Sequence, residues 1–414
     1  MLPRAARQAL SVLPKNSSVA DTAPVDLNEA EIRALVERFG SPLLVVDCER
    51  VRRQYRALQA ALPGVDLHYA LKPLPHAAVV ACLRDEGAYF DLATTGEVEM
   101  VKQQGVAPER CIHTHPIKRD QDIRDALRFG VTTFVADNPD EIKKFVRYRK
   151  RAELLIRVSF RSPGAVCDLS KKFGCAPDAV LDLLQLARRV GVRVRGLSFH
   201  VGSQAADSAK YVEAIEACNN VFAEALLAGL PGLEVLDIGG GYPVPYQTDV
   251  PAIDDFCAPI RAALAKLPVH VRVIAEPGRF IAAPAAIAVS SVMGKAKRDG
   301  RWWYYLDDGV YGSYSGQIYD HAKYPVESLK RSGEPSLSVL AGPTCDSIDV
   351  IDEAIMLPEL EVGDLVVGRM MGAYTMASAT DFNFFKRAKV VVMNERPATA
   401  DRVVRLQRRK QVGV

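Results

Sequence analysis

The stretch DLHYALKPLPH, residues 66–76, opens the series of short apolar runs that decides the fold. Apolar side chains at positions 67, 69 and 71 alternate with smaller or polar ones, which is the two-residue period of a β-strand. Pro73 directly follows Lys72 and favours the end of the strand there. The side chain of a lysine at such an end is either exposed to solvent or buried as a functional amine. This stretch alone leaves both interpretations open.

Seven further runs of this kind follow, and helix-like segments separate them. Strand–helix alternation indicates a parallel sheet, and eight units within about 210 residues fit a (β/α)8 barrel. A doubly wound open sheet is the alternative, but it normally has a G-x-G-x-x-G turn after its first strand, and none is present there. We predict barrel strands at 68–72, 89–93, 111–115, 132–136, 154–159, 196–201, 235–240 and 272–277. In the first of these strands, residues 68, 70 and 72 should face the barrel axis and residues 67, 69 and 71 the helices.

A second domain is indicated after residue 285, where β-like runs separated by Gly, Pro and Asp turns replace the alternation. The fold class is therefore α/β, a TIM-like barrel followed by a mostly antiparallel β domain. We predict a leader over residues 1–25, a barrel over 43–283, and a β domain formed by 26–42 and 284–414. The leader is basic and then rich in Ser, Ala and Pro, and we interpret it as disordered, with a transit-like segment as the alternative.

Composition excludes several classes of function. The chain has 53 Lys and Arg against 50 Asp and Glu, a net charge of +3 that is too small to favour nucleic acid. No apolar run reaches the roughly 18 residues of a membrane helix. Eight scattered cysteines without a C-x-x-C pair indicate reduced thiols, so we expect a cytoplasmic protein.

Polar and glycine residues fall repeatedly on the carboxyl ends of the predicted strands, where barrel enzymes carry their chemistry. They are Lys72, Asp91, His113, His115, Arg157, His200, Gly239, Gly240, Gly241, Glu276 and Arg279. A glycine run lets backbone N–H groups approach an anion closely, although alone it is equally consistent with a tight turn. A lysine opposite a bound phosphate suggests pyridoxal 5′-phosphate held as a Schiff base. Glu276 would then keep the ring nitrogen protonated, and His200 would either stack on the ring or be a buried barrel histidine.

The loop GPTCDSID of the β domain contains a second unusual residue. Cys345 lies between turn-forming residues and directly precedes Asp346. A buried structural thiol is the usual interpretation of a single cysteine. A cysteine flanked by Gly, Pro, Thr and Asp is not typical of a core, and we interpret Cys345 as a candidate proton donor.

Taken together, these motifs resemble the fold type III, alanine racemase-like, basic amino-acid decarboxylases that depend on pyridoxal 5′-phosphate. Among them, the chain is most similar to ornithine decarboxylases of a compact bacterial ornithine/lysine type. The matching motifs run in the family's order from about residue 43 to 385. They are YALK, FDLATTGEVEMV, SFHVGSQ, LDIGGGYP, AEPGRF, DDGVYGS, YDHA, GPTCDSIDV and MGAYTMASATDFN.

The resemblance implies a role for each matching residue. Lys72 binds the cofactor, Glu276 pairs with its ring nitrogen, His200 stacks on the ring, and Cys345 returns a proton to Cα after CO2 leaves. The other residues of the cofactor site are Asp91, Arg157, Ser203, Gly239, Gly240, Gly241, Arg279 and Tyr374. The substrate-binding residues are Tyr319, Asp320, Asp346 and Phe382. No metal is expected.

The implied reaction is decarboxylation of L-ornithine to putrescine and CO2 in polyamine biosynthesis. L-Lysine, or both substrates, stays open, because one methylene is worth only ~1–3 kcal/mol of discrimination. Diaminopimelate is less favoured, because a second carboxylate in the substrate would face aspartates and because CDS replaces the CES of that relative. The resemblance also implies a head-to-tail homodimer in which Cys345 and Asp346 complete the partner's site.

Three other functions are weighed against this one. A metal-dependent barrel hydrolase also uses a His-x-His pair, but on its first strand, whereas HTH lies here on the third. A non-catalytic homologue would lack catalytic residues that this chain retains. A racemase of the same fold would want Arg in place of Glu276. One departure is that HTHPIK has His115 where ornithine decarboxylases have Asn before Pro.

Overall fold

A closed barrel of eight parallel strands forms the first part of the molecule. The computed structural model describes residues 25–160 and 171–395, so the predicted leader, apart from Val25, lies outside the described residues. The barrel strands are β2 (Asp66–Ala70), β3 (Tyr89–Leu92), β4 (Cys111–His113), β5 (Thr133–Ala136), β6 (Glu153–Val158), β7 (Arg193–Phe199), β8 (Val235–Asp237) and β9 (Arg272–Ala275). Pairing of β2 with β9 closes the ring, which confirms the predicted fold. Most strands end before the predicted runs do, and the leftover residues form the loops at the barrel mouth.

Most of the helices follow the strands and cover the barrel, whereas the first packs against the second sheet, described below, and the last lies in the chain between two strands of that sheet. The helices are α1 (Glu29–Phe39), α2 (Cys48–Ala61), α3 (Ala77–Asp85), α4 (Thr95–Gln103), α5 (Asp120–Phe129), α6 (Pro139–Lys144), α7 (Val180–Val190), α8 (Ala209–Leu227), α9 (Ile253–Leu264), α10 (Arg279–Ala282) and α11 (Gly316–Tyr319). Thr94 and Asn138 cap the N-termini of α4 and α6 by accepting from backbone N–H groups. Gly130 and Gly191 end α5 and α7 in the left-handed conformation that favours glycine. Among the described helices, none combines the length and apolar character needed to span a bilayer.

The barrel axis is filled by a layer of branched side chains. Ile112, Val135, Leu155, Val235 and Ile274 are buried together and come from five different strands. This packing makes the barrel a solid core rather than a pore, so ligands have access only at its ends.

The strand orientation predicted from DLHYALKPLPH agrees with the packing. Leu67, Tyr69 and Leu71 belong to the large apolar cluster that also contains the helix side chains. His68 lies buried and stacks on the ring of Tyr89 at 4.9 Å between centroids. Because β2 ends at Ala70, position 72 falls on the loop that leaves the strand and not on the strand itself.

The second part of the molecule is an eight-stranded, mostly antiparallel sheet. Its strands are β1 (Leu43–Asp47), β10 (Ala286–Arg298), β11 (Arg301–Leu306), β12 (Val326–Ser328), β13 (Ser336–Ala341), β14 (Val350–Leu357), β15 (Leu365–Gly368) and β16 (Lys389–Met393). The order β12-β15-β10-β11-β13-β14 is extended by β1, which pairs antiparallel with β10 and parallel with β16.

The position of β1 corrects the predicted boundary at residue 43. That boundary assigns β1 to the barrel domain, but the strand hydrogen-bonds only to strands of the second sheet among the described residues. Its apolar side chains Leu43 and Val45 pack with Ile32 of α1 and with Ile287 of β10. An apolar run of five residues does not reveal which sheet it joins, because the choice depends on long-range pairing. The division near residue 283 stays a prediction.

Candidate active site

Lys72 projects into a cavity at the mouth of the barrel. The cavity has a volume of about 190 Å³, and its titratable lining residues are Lys72, Asp91, Glu97, His115, Arg157, His200 and Glu276. The Lys72 side chain is solvent-accessible through this cavity, and the walls of the cavity enclose its amine. Burial alone would lower the pKa of Lys72, but the charges of Tyr374, Asp91 and Glu276 raise it above its ordinary value. The structure thus favours the buried amine over the solvated strand end.

We call Lys72, Asp91, Glu97, His200 and Glu276 the mouth cluster. Burial, together with the charge of Glu276, raises the pKa of Asp91 to about 7, and burial raises the pKa of Glu97 to about 7 as well. Asp91 accepts a hydrogen bond from the Thr114 hydroxyl, and Glu97 accepts from the backbone N–H of Ala93. The cluster therefore concentrates carboxyl groups around one amine and lacks enough cations to ionise them all.

Glu276 forms a buried pair with Asp237, which ends β8. Burial and the neighbouring charge of Asp237 raise the pKa of Glu276 well above its usual range, and burial raises the pKa of Asp237 to about 7. Asp237 Oδ1 accepts from the N–H of Gly239 at 2.9 Å, and the Asp237 side chain is also hydrogen-bonded to Glu276. A cationic ring nitrogen facing Glu276 would supply the missing counter-charge.

His200, directly after β7, presents a neutral ring to the cavity. Its Nδ1 accepts from the backbone N–H of Gly202 at 3.0 Å, so the proton of the neutral ring lies on Nε2. Burial lowers the pKa of His200 well below its ordinary value, and the charges of Lys72 and Arg157 add to this effect. A neutral, fixed imidazole is suited to stacking on a flat ligand.

The glycine run after β8 is required by close backbone packing. A Cβ on Gly239 would lie 2.3 Å from the carbonyl oxygen of Phe199, and one on Gly240 would lie 2.5 Å from that of Glu276. Gly239 also has a positive φ of 66° and Gly241 one of 116°. Within the described part of the chain, the buried N–H of Gly240 has no acceptor. A phosphate oxygen is the kind of group that would satisfy it.

Arg279, the first residue of α10, is held by side chains from three segments. It donates from Nε and Nη2 to Ser203 Oγ at 3.2 and 3.0 Å, from Nη1 to the Tyr246 hydroxyl at 2.8 Å, and from Nη2 to Asp320. The ring of Tyr374 lies 4.7 Å from the guanidinium carbon. Three of these contacts join residues predicted to bind cofactor or substrate. The fourth contact is with Tyr246, which the sequence analysis does not predict as a site residue. The surrounding stretch YPVPYQ contains no recognisable motif.

Cys345, Asp346 and Phe382 lie outside the Lys72 cavity. With Tyr311 and Asn383 they form what we call the loop cluster. The Tyr311 hydroxyl donates to Asp346, its ring stacks on Phe382 at 4.3 Å, and Cys345 Sγ lies 3.3 Å from Asn383 Oδ1. None of the five is among the described residues that line the Lys72 cavity.

Three further residues that the sequence singled out lie in different surroundings. His113 does not reach the cavity, because its ring packs against Phe134 on the helix side of the barrel at 5.6 Å. His115, by contrast, lines the cavity, and Tyr319 is 60% exposed on the surface. Alternation along β4 explains the first result, because Ile112 and Thr114 face inward and residue 113 must then face outward.

These residues fit pyridoxal 5′-phosphate. Lys72 would bind its aldehyde, Glu276 its ring nitrogen, and Arg279 with the Gly240 N–H its phosphate. A sequence model of pyridoxal-dependent decarboxylases, covering their pyridoxal-binding domain, matches residues 48–283. The chain belongs to the pyridoxal-dependent decarboxylases. The cofactor prediction is thereby confirmed, and the matched segment begins after β1.

Known relatives identify the substrate class of these decarboxylases. A lysine/ornithine decarboxylase of Selenomonas ruminantium is 36% identical over 381 residues, which cover 91% of this chain and 96% of that protein. Crystal structures of a lysine/ornithine decarboxylase from Vibrio vulnificus with putrescine and with cadaverine are 57% and 58% identical, with TM-scores of 0.86. They cover 90% and 89% of this chain and 100% of theirs. The protein is a fold type III decarboxylase of basic amino acids.

Proposed function

We propose that this decarboxylase converts L-ornithine to putrescine and CO2 in polyamine biosynthesis, and that it also accepts L-lysine. The observation that carries the proposal is that Lys72 and Glu276 line one cavity at the barrel mouth, with Gly240 packed beside Glu276 and His200. Arg279, close behind Glu276 in the chain, holds Asp320. An aspartate at that place suits a substrate that ends in an ammonium group. The similarity to enzymes named for both substrates supports dual use.

Each residue has a distinct task in the proposed reaction. When bound, pyridoxal 5′-phosphate withdraws electrons from Cα so that CO2 can leave. Lys72 provides the attachment amine, and Glu276 holds the proton at the ring nitrogen. His200 covers one ring face and excludes water there. The Cys345 thiol gives a proton to Cα after CO2 has left, and Asp320 with Asp346 binds the distal ammonium.

The positions of the loop cluster support a shared site. Cys345 is exposed and Asp346 is half-buried, and both are separate from the Lys72 cavity, while nearby Ile348 and Phe384 are 52% and 95% exposed. Exposed apolar side chains grouped in this way are typical of a protein interface. We propose a head-to-tail homodimer in which the loop cluster of one subunit completes the mouth cluster of the other. Seven described cysteines are free thiols, consistent with a cytoplasmic enzyme.

Direct assay tests the substrate assignment. Purified protein with pyridoxal 5′-phosphate is incubated with L-ornithine, L-lysine, L-arginine or diaminopimelate, and released CO2 and amine are measured. We expect turnover of ornithine and lysine and little of the other two. An enzyme that released CO2 from neither ornithine nor lysine would disprove the proposal.

A further inference from the structure

The guanidinium of Arg279 is almost fully occupied by protein groups. Of its five N–H donors, one on Nε, one on Nη1 and two on Nη2 are used by Ser203, Tyr246 and Asp320. Its side chain is only 5% exposed. One Nη1 donor is left for a phosphate oxygen, so the phosphate site and Asp320 share a single, rigidly held cation.

Two tyrosine rings pack against the Arg279 guanidinium and restrict its movement. Tyr374 and Tyr246 lie 4.7 and 5.7 Å from the guanidinium carbon. Tyr246 is itself held edge-on by Tyr324, at 5.6 Å between centroids and 89° between ring planes. The hydroxyl of Tyr324 has no hydrogen-bond partner among the described residues, so this ring contributes packing only.

The Asp320 carboxylate is bound by that arrangement through Arg279. Asp320 follows the single turn of α11, and its backbone N–H bonds to the carbonyl of Gly316 at 3.0 Å, which fixes the main chain. Its side chain pairs with Arg279 and is 15% exposed. A carboxylate can accept from a guanidinium and from a second cationic donor at the same time.

We propose that Tyr246 is a positioning residue for substrate selection, which rests on the proposed role of Asp320. By accepting the Nη1–H of Arg279, the Tyr246 hydroxyl orients the guanidinium that holds Asp320, and Asp320 then selects ligands with a distal ammonium. The pair of Arg279 and Asp320 thus links the cofactor phosphate to the far end of the substrate. Tyr246 does not itself contact substrate.

The test compares Tyr246→Phe with Tyr324→Phe, a matched control that removes a hydroxyl without a described partner. Calorimetry on each holoenzyme measures dissociation constants of putrescine and of butylamine, which has the same carbon chain and no second amine. We expect Tyr246→Phe to weaken putrescine binding about tenfold, the order of one charged hydrogen bond, and to leave butylamine unchanged. The KM of ornithine should rise by a similar factor with kcat retained, and Tyr324→Phe should match the wild type.

The variant Asp320→Asn tests whether Tyr246 acts on putrescine binding through the Asp320 carboxylate. It should reduce putrescine binding by itself, and Tyr246→Phe should add little in the double variant, because both act through one carboxylate. An equal loss for putrescine and butylamine, an additive double variant, or a weakened cofactor as the only effect would each overturn the proposal. Binding needs no turnover, so a wild type that bound putrescine without decarboxylating ornithine would refute the proposed function alone. If Tyr246→Phe does not fold, Asp320→Asn alone still tests the inference. An Asp320→Asn enzyme that bound putrescine more tightly than butylamine by the same factor as the wild type would overturn it.

Discussion

The mouth cluster and the loop cluster both contain predicted site residues, but their surroundings are opposite. In the mouth cluster, burial raises the pKa of Asp91 and Glu97 to about 7 and lowers that of His200. In the loop cluster, Cys345 is exposed, and the neighbouring Phe384 side chain is 95% exposed. One set of groups is enclosed by its own chain, whereas the other lies open at the surface.

The difference concerns what each cluster needs in order to act. Buried carboxyl groups with raised pKa values lack compensating cations, and a bound cofactor with a protonated ring nitrogen would supply one. The exposed loop cluster has aromatic and apolar side chains without cover, which is why we propose that a second subunit covers it. We infer that a single chain holds a complete cofactor site and an incomplete substrate site.

The largest expected effect comes from removing the attachment amine of the mouth cluster. Lys72→Ala should abolish decarboxylation and the absorbance band of lysine-bound cofactor, because no other amine lines the cavity among the described residues. Spectra and CO2 release are compared with Lys102→Ala, which removes an exposed lysine of α4. A band that persisted in Lys72→Ala would place the attachment elsewhere.

Subunit mixing tests whether the loop cluster serves the partner. Lys72→Ala and Cys345→Ala should each be nearly inactive. Mixed in equal amounts, they should recover roughly a quarter of wild-type activity, because half of the dimers are then mixed and each has one intact site. Mixing either variant with itself is the control. No recovery, with exchange of subunits shown by mass spectrometry, would mean that both residues act within one chain.

Local patterns predicted the mouth cluster better than the contacts that connect it. Lys72 and the glycine run each follow a strand, so their residue types at strand ends were sufficient to place them. The pairing of Glu276 with Asp237 and the bond from Arg279 to Tyr246 join distant segments. No local period encodes such contacts. The assignment of β1 failed for the same reason, because its partners β10 and β16 lie more than 200 residues away in the chain.

A smaller effect is expected from Asp237→Asn, which keeps an acceptor for Gly239 but removes the charge beside Glu276. That charge and burial hold the pKa of Glu276 above its usual range, so the variant should lower that pKa. If Glu276 must be ionised for turnover, the acid limb of the kcat profile moves to lower pH. Asp237→Ala also loses the Gly239 contact and should additionally weaken cofactor binding. An unshifted acid limb in Asp237→Asn would show that the two carboxyls are not coupled.

The smallest effect concerns His113, which is fully buried but lies outside the mouth cluster. Burial, with the charge of Lys118, lowers the pKa of His113 to about 3, and neither ring nitrogen has a hydrogen-bond partner among the described residues. The unfolded chain therefore binds the proton below about pH 6.5 while the folded chain does not, so stability is lost as pH falls. His113→Phe should reduce the loss in unfolding free energy between pH 6.5 and 5 by about 2 kcal/mol and leave kcat unchanged.

Urea unfolding at the two pH values measures this change, with exposed His270→Phe as the control that should alter nothing. Equal acid sensitivity in wild type and His113→Phe would mean that the ring is hydrated or paired. A fall in kcat would instead bring His113 back into the site. Burial would then no longer separate groups that bind the cofactor from groups that only pack. The contrast between the two clusters would have to rest on access to the cavity alone.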